Sequence, residues 1–494
     1  MNVWKAAWDA NRALSQGAAQ LVHGTAVNGQ VRRASRGPRR GYLVPGDSPP
    51  AASGGGGYYD YRGVLDVRRV PAELQQATFS LGRYLSPGRS QRVPIGLPEG
   101  ALSLHVTLVG PTGAGKTTGI VVPWMVAAVR AGWSVVTIDV KGDLLARVQN
   151  EVGHSLGGIA GAVDYTDPHR SLRWNWLAEV DSDRAIDNTV QSILGRKPPS
   201  GTDPYFFNAD SQILRGLLEL VAVSKNPGSM TATKLLDLLK NQDRLTKLLM
   251  RTVSRQAITR LSDLTNLDPT DYPKRIAGVV AKLDTLSRGT LERVMSHSDF
   301  RAQDVLDAPS LLSIVAPLQD GQMAEMVSSL LINQILFRAF QRFGGHGGVP
   351  VLLVLDEAPR VADRIDLEQI LSVARAADVA VLLALQDAAQ FSDQNQRSVI
   401  FANSGCVICT QGVSSTTAKL MSDRLGVHPV ATMTTSQGPW VRGQSGGPNL
   451  STATSMAPVL GEREIMSPPF DGRIACVHAR DLSTKPFFVD LTRP

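Results

Sequence analysis

Residues 106–117 read VTLVGPTGAGKT. An unbroken apolar run stops at a glycine-rich loop, and the following TGIVVPWMVAAVRAG (118–132) has the composition of a buried helix. The loop fills the pattern G-x-x-x-x-G-K-[ST] with Gly110, Gly115, Lys116 and Thr117. Strand, loop and helix in that order form a phosphate cradle. Glycines let successive backbone N–H groups turn inward, and the helix adds its positive end. The reading assigns Gly110, Pro111, Thr112, Gly113, Ala114, Gly115, Lys116, Thr117 and Thr118 to nucleotide binding. Lys116 is expected to reach the β- and γ-phosphates, and the Thr117 hydroxyl to ligate Mg²⁺.

A phosphate loop that supports hydrolysis needs acids on a neighbouring strand. VLLVLDEAPR (351–360) supplies them at the end of an apolar run. Asp356 is expected to hold Mg²⁺ through water, and Glu357 to polarise the attacking water. In VAVLLALQDAAQ (379–390), Gln386 ends the next apolar run, where it can sense the γ-phosphate. Between the two lies ILSVARAAD (370–378) with Arg375. A helical arginine is usually a surface charge. The functional alternative is an arginine finger reaching the nucleotide of an adjacent subunit.

These motifs sit in a chain of 494 residues that is 43% hydrophobic and 19% charged, ordinary for a globular protein with a substantial core. The net charge of +7 is concentrated in residues 1–63, where eight Lys/Arg face three Asp. Such a basic segment suits nucleic acid or an anionic membrane surface. Cys406 and Cys409 form a lone CxxC in the apolar SGCVICTQ (404–411), which reads as a buried strand, since zinc needs four ligands. No apolar leader is read at the N-terminus, and the most membrane-like window, 119–138, contains Arg130 and a glycine turn.

The fold class expected is α/β, a RecA-like P-loop domain with a mostly parallel central sheet and an all-α insertion. Short runs apolar at every residue belong to strands covered on both faces. Residues 1–63 read as a basic segment with a possible short helix and a Pro/Gly/Ser-rich linker over 28–62. Residues 64–177 hold the first part of the nucleotide-binding domain. Residues 178–305 show apolar positions three and four apart, as in ATKLLDLLKNQDRLTKLLMRTV, and form the helical insertion. Residues 306–494 complete the α/β domain.

Together, HVTLVGPTGAGKTTGIVVPWM, VVTIDVKGDLLA and LLVLDEAPRV…ILSVARAADVAVLLALQDAAQ resemble the type IV secretion coupling proteins of conjugation, the TraG-like family. GTDPYFFNADSQILRGLLELVA, SLLSIVAPL and VLGEREIM…TKPFFVDL extend the resemblance over roughly 80–494. It implies a homo-hexameric ring that spends ATP with Mg²⁺ to move DNA, sometimes protein, to a secretion channel. Relaxase or relaxosome would meet the helical insertion, and channel proteins would be further partners. By the same resemblance Lys116, Thr117, Asp356, Glu357 and Gln386 occupy nucleotide-site positions and Arg375 the position acting in trans. Asp139 and Lys141 of IDVKGD match a further motif at the site's edge. Family members usually begin with two membrane-spanning helices, and none is read here. The protein is therefore expected in the cytoplasm, with at most indirect or peripheral contact at the inner face of the plasma membrane. Two other readings fit the same residues: a related pump for segregation or packaging, and a receptor that nucleotide merely locks.

Overall fold

Where the chain carries runs apolar at every position, the computed structural model places strands with both faces covered. It describes residues 72–492 apart from 76, 86–91, 155, 199–200, 202, 343–346, 438–447, 481 and 484. The basic segment and linker expected over 1–63 lie outside the described residues. Seven strands run parallel: β3 (Val106–Val109), β4 (Ser134–Asp139), β5 (Ala160–Val163), β6 (Leu311–Val315), β7 (Val351–Asp356), β8 (Val379–Leu385) and β9 (Cys406–Thr410). Four more extend the sheet in antiparallel fashion: β1 (Phe79–Leu85), β2 (Arg92–Leu97), β12 (Ile474–Ala479) and β13 (Phe487–Asp490). The order across the sheet is β2-β1-β13-β12-β9-β3-β8-β7-β4-β6-β5. A separate two-stranded hairpin joins β10 (Val427–Gln437) to β11 (Pro448–Pro458). The mostly parallel sheet with helices is the RecA-like P-loop fold expected.

The strand order decides where the chemistry lies. β8 is inserted between β3, which ends in the phosphate loop, and β7, which ends in Asp356. All three are parallel, so their C-terminal ends share one edge of the sheet, the usual ligand edge of such folds.

Burial of both sheet faces explains the unbroken apolar runs. Along β7, Leu352 and Val354 join the core formed with helix α1 (Val122–Arg130), which follows the phosphate loop. Their neighbours Val351 and Leu353 face the other way, against Ile332, Ile335 and Leu336 of a 20-residue helix, here α11 (Gly321–Phe340). Alternate residues pointing to opposite faces make every position apolar.

Between β5 and β6 the chain is helical: α2 (Leu144–Val152) precedes β5, and α3 (Asp183–Leu194), α4 (Pro204–Ala222), α5 (Ala232–Lys240), α6 (Gln242–Leu249), α7 (Arg255–Thr265), α8 (Tyr272–Leu286), α9 (Gly289–Val294) and α10 (Ala302–Asp307) follow it. Five of these starts are fixed by a side chain that accepts an otherwise unpaired N–H: Ser182, Asp203, Thr231, Asn241 and Ser254. The helices are not a loosely tethered body, since the described residues between 92 and 492 belong to one compact unit. α3 lies on α11 and is pinned to it by buried polar contacts. Asn333 Nδ2 donates to Ser192 Oγ at 2.6 Å, and Arg364 donates to the carbonyls of Ser192 and Ile193. Buried Ser329 and Gln334 of α11 find partners in this coverage, Ser329 Oγ donating to the Ser192 and Glu325 carbonyls and Gln334 Nε2 to the Trp176 carbonyl.

The membrane-like window 119–138 divides into α1, a turn at Gly132 and β4. Among the described residues no helix is long and apolar enough to cross a membrane.

Trp124 of α1 ties the phosphate-loop helix to the antiparallel extension. It is fully buried, packs edge-on against Phe79 at 5.9 Å between ring centres, and its indole N–H donates to the Ser80 carbonyl at 2.6 Å. Trp124→Ala is expected to lower stability by about 3–5 kcal/mol in urea unfolding. Trp124→Phe, which keeps a ring and loses the hydrogen bond, should cost distinctly less; equal losses would show that the anchor is not the packed ring.

Candidate nucleotide-binding and hydrolysis site

Gly110 to Thr118 link β3 to the first helical turn. Gly113 and Gly115 have φ of 84° and 89°, a region that glycine enters without a Cβ clash. Gly110 is glycine for a different reason: a methyl group there would land inside the side chain of Thr410, the last residue of β9. The turn after the loop, Thr117–Val121, is a wide π-type turn. Pro123 has no N–H to give the preceding turn, which favours a shifted ladder there.

Lys116 is half-buried and folds back onto the loop: Nζ donates to the carbonyls of Gly110 and, at 3.2 Å, Pro111. Burial holds its pKa below the ordinary lysine value; Glu357 and then Asp356 oppose that, and Lys141 reinforces it. The lysine and both acids therefore share one electrostatic neighbourhood. Asp356 is pushed up to about 6, first by burial and next by the charge of Glu357, against the pull of Lys116. Two adjacent desolvated carboxylates are stabilised by a cation.

Glu357 has φ 64° and ψ 49°, the left-handed region that L-residues rarely occupy. This turn follows β7 directly, and the Glu357 carboxylate meets the side chain that ends β8. Gln386 Nε2 donates to Glu357 Oε1 at 2.6 Å, while Gln386 Oε1 accepts from the Thr112 hydroxyl at 3.3 Å. One amide thus joins the phosphate loop to the acid pair. Among the described residues no group of three or more His, Cys, Asp or Glu forms a metal cage. Mg²⁺ held partly by nucleotide phosphates requires none, and Thr117 with Asp356 offers the hydroxyl and carboxylate oxygens that such a hard cation takes.

Asp139, at the end of β4, is buried and accepts from the N–H groups of Lys141 at 3.1 Å, Gly142 at 2.7 Å and Leu144 at 2.7 Å. Burial raises its pKa and those three N–H groups lower it. In the described structure it shapes the turn that carries Lys141 to the site's edge. An Asp followed by a Lys-Gly turn and a helix is a local signal legible in the sequence.

Arg375 is not brought to this chain's own site. It is exposed on the turn Ala374–Ala377, ahead of β8, whereas Gln386 follows β8. Seven strand residues separate those ends, about 20 Å or more. Its charge is felt instead by His105, just before β3, which accepts the Val381 N–H. Burial and then Arg375 depress the His105 pKa to about 4. Cys406 and Cys409 are fully buried in β9, their thiols pushed up to about 12 chiefly by burial.

Residues 83–480 match the family described as Type IV secretory system Conjugative DNA transfer. No curated protein sequence matches the chain. Among solved structures it is similar to the bacterial conjugative coupling protein TrwBdeltaN70 in complex with sulphate (TM-score 0.62, 19% identity, 89% of this chain and 96% of the other). The plasmid coupling protein TrwB in complex with ADP and Mg²⁺ is also similar (TM-score 0.61, 17% identity, 87% and 92%). So is TrwB with the ATP analogue ADPNP (TM-score 0.61, 17% identity, 89% and 96%). At these identities the likeness is one of fold.

Gly110→Ala separates the packing reason for that glycine from phosphate binding. The methyl should destabilise the protein by about 1–3 kcal/mol through overpacking, read in urea unfolding without nucleotide. Thr410→Ala in the same chain should recover part of the loss; strict additivity of the two changes would refute the contact.

Proposed function

The chain belongs to the type IV secretory system conjugative DNA transfer family, and we propose that it is an ATP-driven, hexameric DNA translocase acting as the coupling protein that hands DNA to a secretion channel. The observation that carries the reading is the Thr112–Gln386–Glu357 link, which couples the phosphate loop to the acid turn after β7. A module that only bound nucleotide would have no use for such an acid. The ADP, Mg²⁺ and ADPNP complexes of TrwB support the same ligands here.

In this reading the loop amides of Gly110–Thr118 and the Lys116 ammonium bind the triphosphate, whose oxygens replace the loop carbonyls that Lys116 now contacts. Thr117 and Asp356 would hold Mg²⁺, which would supply neutralisation of phosphate charge. Glu357 orients the attacking water and takes its proton. Gln386, already hydrogen-bonded to both Glu357 and the loop, reports the state of the terminal phosphate to β8. Arg375 acts on the site of the next subunit in the ring, which accounts for its place on the far edge of its own sheet.

The helical insertion suits partner binding. Around the α6–α7 connection Met250 is 80% exposed and Val253 84% exposed, with Leu248 and Ile258 also exposed, an apolar surface that a relaxosome protein would cover. At the start of α4, Tyr205 and Phe206 present exposed rings edge to face, with Arg275 over the Tyr205 ring. Rings with a guanidinium suit nucleic acid without sequence preference. Family membership favours conjugative transfer over segregation or packaging.

The test is ATP hydrolysis by size-fractionated protein with and without DNA. DNA should stimulate turnover in the hexameric fraction, and Lys116→Ala or Glu357→Gln should reduce it by about 100-fold or more. Arg375→Ala should bind ATP yet turn over poorly, and mixing it with Glu357→Gln subunits should restore activity. Turnover in Lys116→Ala equal to wild type would overturn the motor; an unaffected Arg375→Ala would remove the trans role alone.

A further inference from the structure

A second cationic group lies against the phosphate loop from a part of the chain that the motifs do not include. β12 runs antiparallel to β9, so its start lies at the edge where the parallel strands end. Arg473, immediately before β12, is mounted there by its backbone. Its carbonyl accepts the Leu491 N–H at 2.8 Å, and the flanking carbonyls of Gly472 and Ile474 accept from the Gln411 side chain and backbone. From this mount its side chain reaches over Gly115. A methyl group built on Gly115 would stand 3.0 Å from Arg473 Cδ, 3.5 Å from Nη1 and 3.7 Å from Nε. The side chain is exposed, and among the described residues Arg473 has no ion pair and its guanidinium no hydrogen bond. An arginine that serves structure is engaged differently: Arg424, at the other edge of the sheet, donates to the carbonyls of Phe401 and Ser404. A guanidinium fixed by its backbone and unpaired at its head is available to an oxyanion.

We propose that Arg473 is a nucleotide-binding residue of this chain's own site, its guanidinium holding the α- and β-phosphate oxygens of the nucleotide seated on the Gly110–Thr118 loop. The assignment rests on the nucleotide reading above and names a ligand-binding residue that the phosphate-loop and acid motifs do not contain. Strand order selects the α- and β-phosphates over the γ-phosphate. The acid pair and Gln386 approach β3 from the β8 and β7 side, whereas Arg473 approaches from the β9 and β12 side. Gly115 also belongs to the backbone cradle of the inner phosphates, while the terminal phosphate faces the lysine head and the acids. Guanidinium forks fit phosphate oxygens in pairs, so Arg473 grips what ADP and ATP share. Contacts that are equal for substrate and product bind without selecting the transition state.

The experiment measures binding of fluorescent ADP and of a non-hydrolysable ATP analogue to the full chain, with steady-state hydrolysis alongside. Arg473→Gln should weaken both ligands by a similar factor of about 10 or more, with KM rising more than kcat falls. Arg473→Lys should recover part of the affinity, and an unchanged thermal midpoint without nucleotide would exclude misfolding at this exposed position. Unaltered ADP affinity in Arg473→Gln, beside a wild type that binds and hydrolyses ATP, overturns this assignment and leaves the motor reading standing. Weakening confined to the ATP analogue overturns the choice of inner phosphates. A wild type that binds neither ligand overturns both readings together.

Discussion

The side-chain amide of Gln386 is the interaction on which the site depends. It accepts from Thr112 on the phosphate loop and donates to Glu357 on the acid turn, and it can do both only because β8 is wedged between β3 and β7. Were β7 directly beside β3, no side chain would span loop and acid in this way. A change at the phosphate loop therefore has a direct hydrogen-bonded route to Glu357 and to the strand behind it. β8 in turn starts a few residues after Arg375, so a single strand has the nucleotide site at one end and the proposed trans residue at the other.

Charge and burial explain why the cluster is poised for a ligand. Lys116, Asp356 and Glu357 are all partly withdrawn from water, and each of the first two is moved toward its neutral form mainly by that withdrawal. Lys116 meanwhile makes do with loop carbonyls. Phosphate oxygens would give the lysine a full counter-charge, and a divalent cation would do the same for the carboxylates.

The antiparallel extension gives the fold a second purpose at the same edge. β12 runs back against β9, β13 follows it, and β1 joins β13 from the segment before the phosphate loop, so strands from both ends of the described chain lie side by side one strand beyond β12. This arrangement brings Arg473 against Gly115 and places Ser80 where the Trp124 indole can bond it, while Thr410 packs against Gly110 from β9, the parallel neighbour of β3. The loop is thereby held from the β9 side by packing and reached from the β8 side by chemistry. On the opposite face of the sheet, Asn333 and Gln334 of α11 bind α3 and the segment preceding it.

The sequence by itself determined what is local. Periodicity and turn chemistry gave the apolar strands that became β3, β7, β8 and β9, the phosphate loop, the acids at the end of β7 and the helical character of the region between β5 and β6, because each is written in a short local pattern. Strand character is legible from about Arg83 toward the loop, but the antiparallel pairing is not: FSLGRYL and RVPIGL carry glycine, proline and arginine, and FSLGRYL joins the sheet through β13, far along the chain. Nor did the sequence explain Gly110, whose reason is Thr410, or point to Arg473, whose neighbours in sequence carry no phosphate-binding pattern. Those were decided by tertiary structure, for the physical reason that strand order, and not strand identity, fixes which side chains share an edge of the sheet.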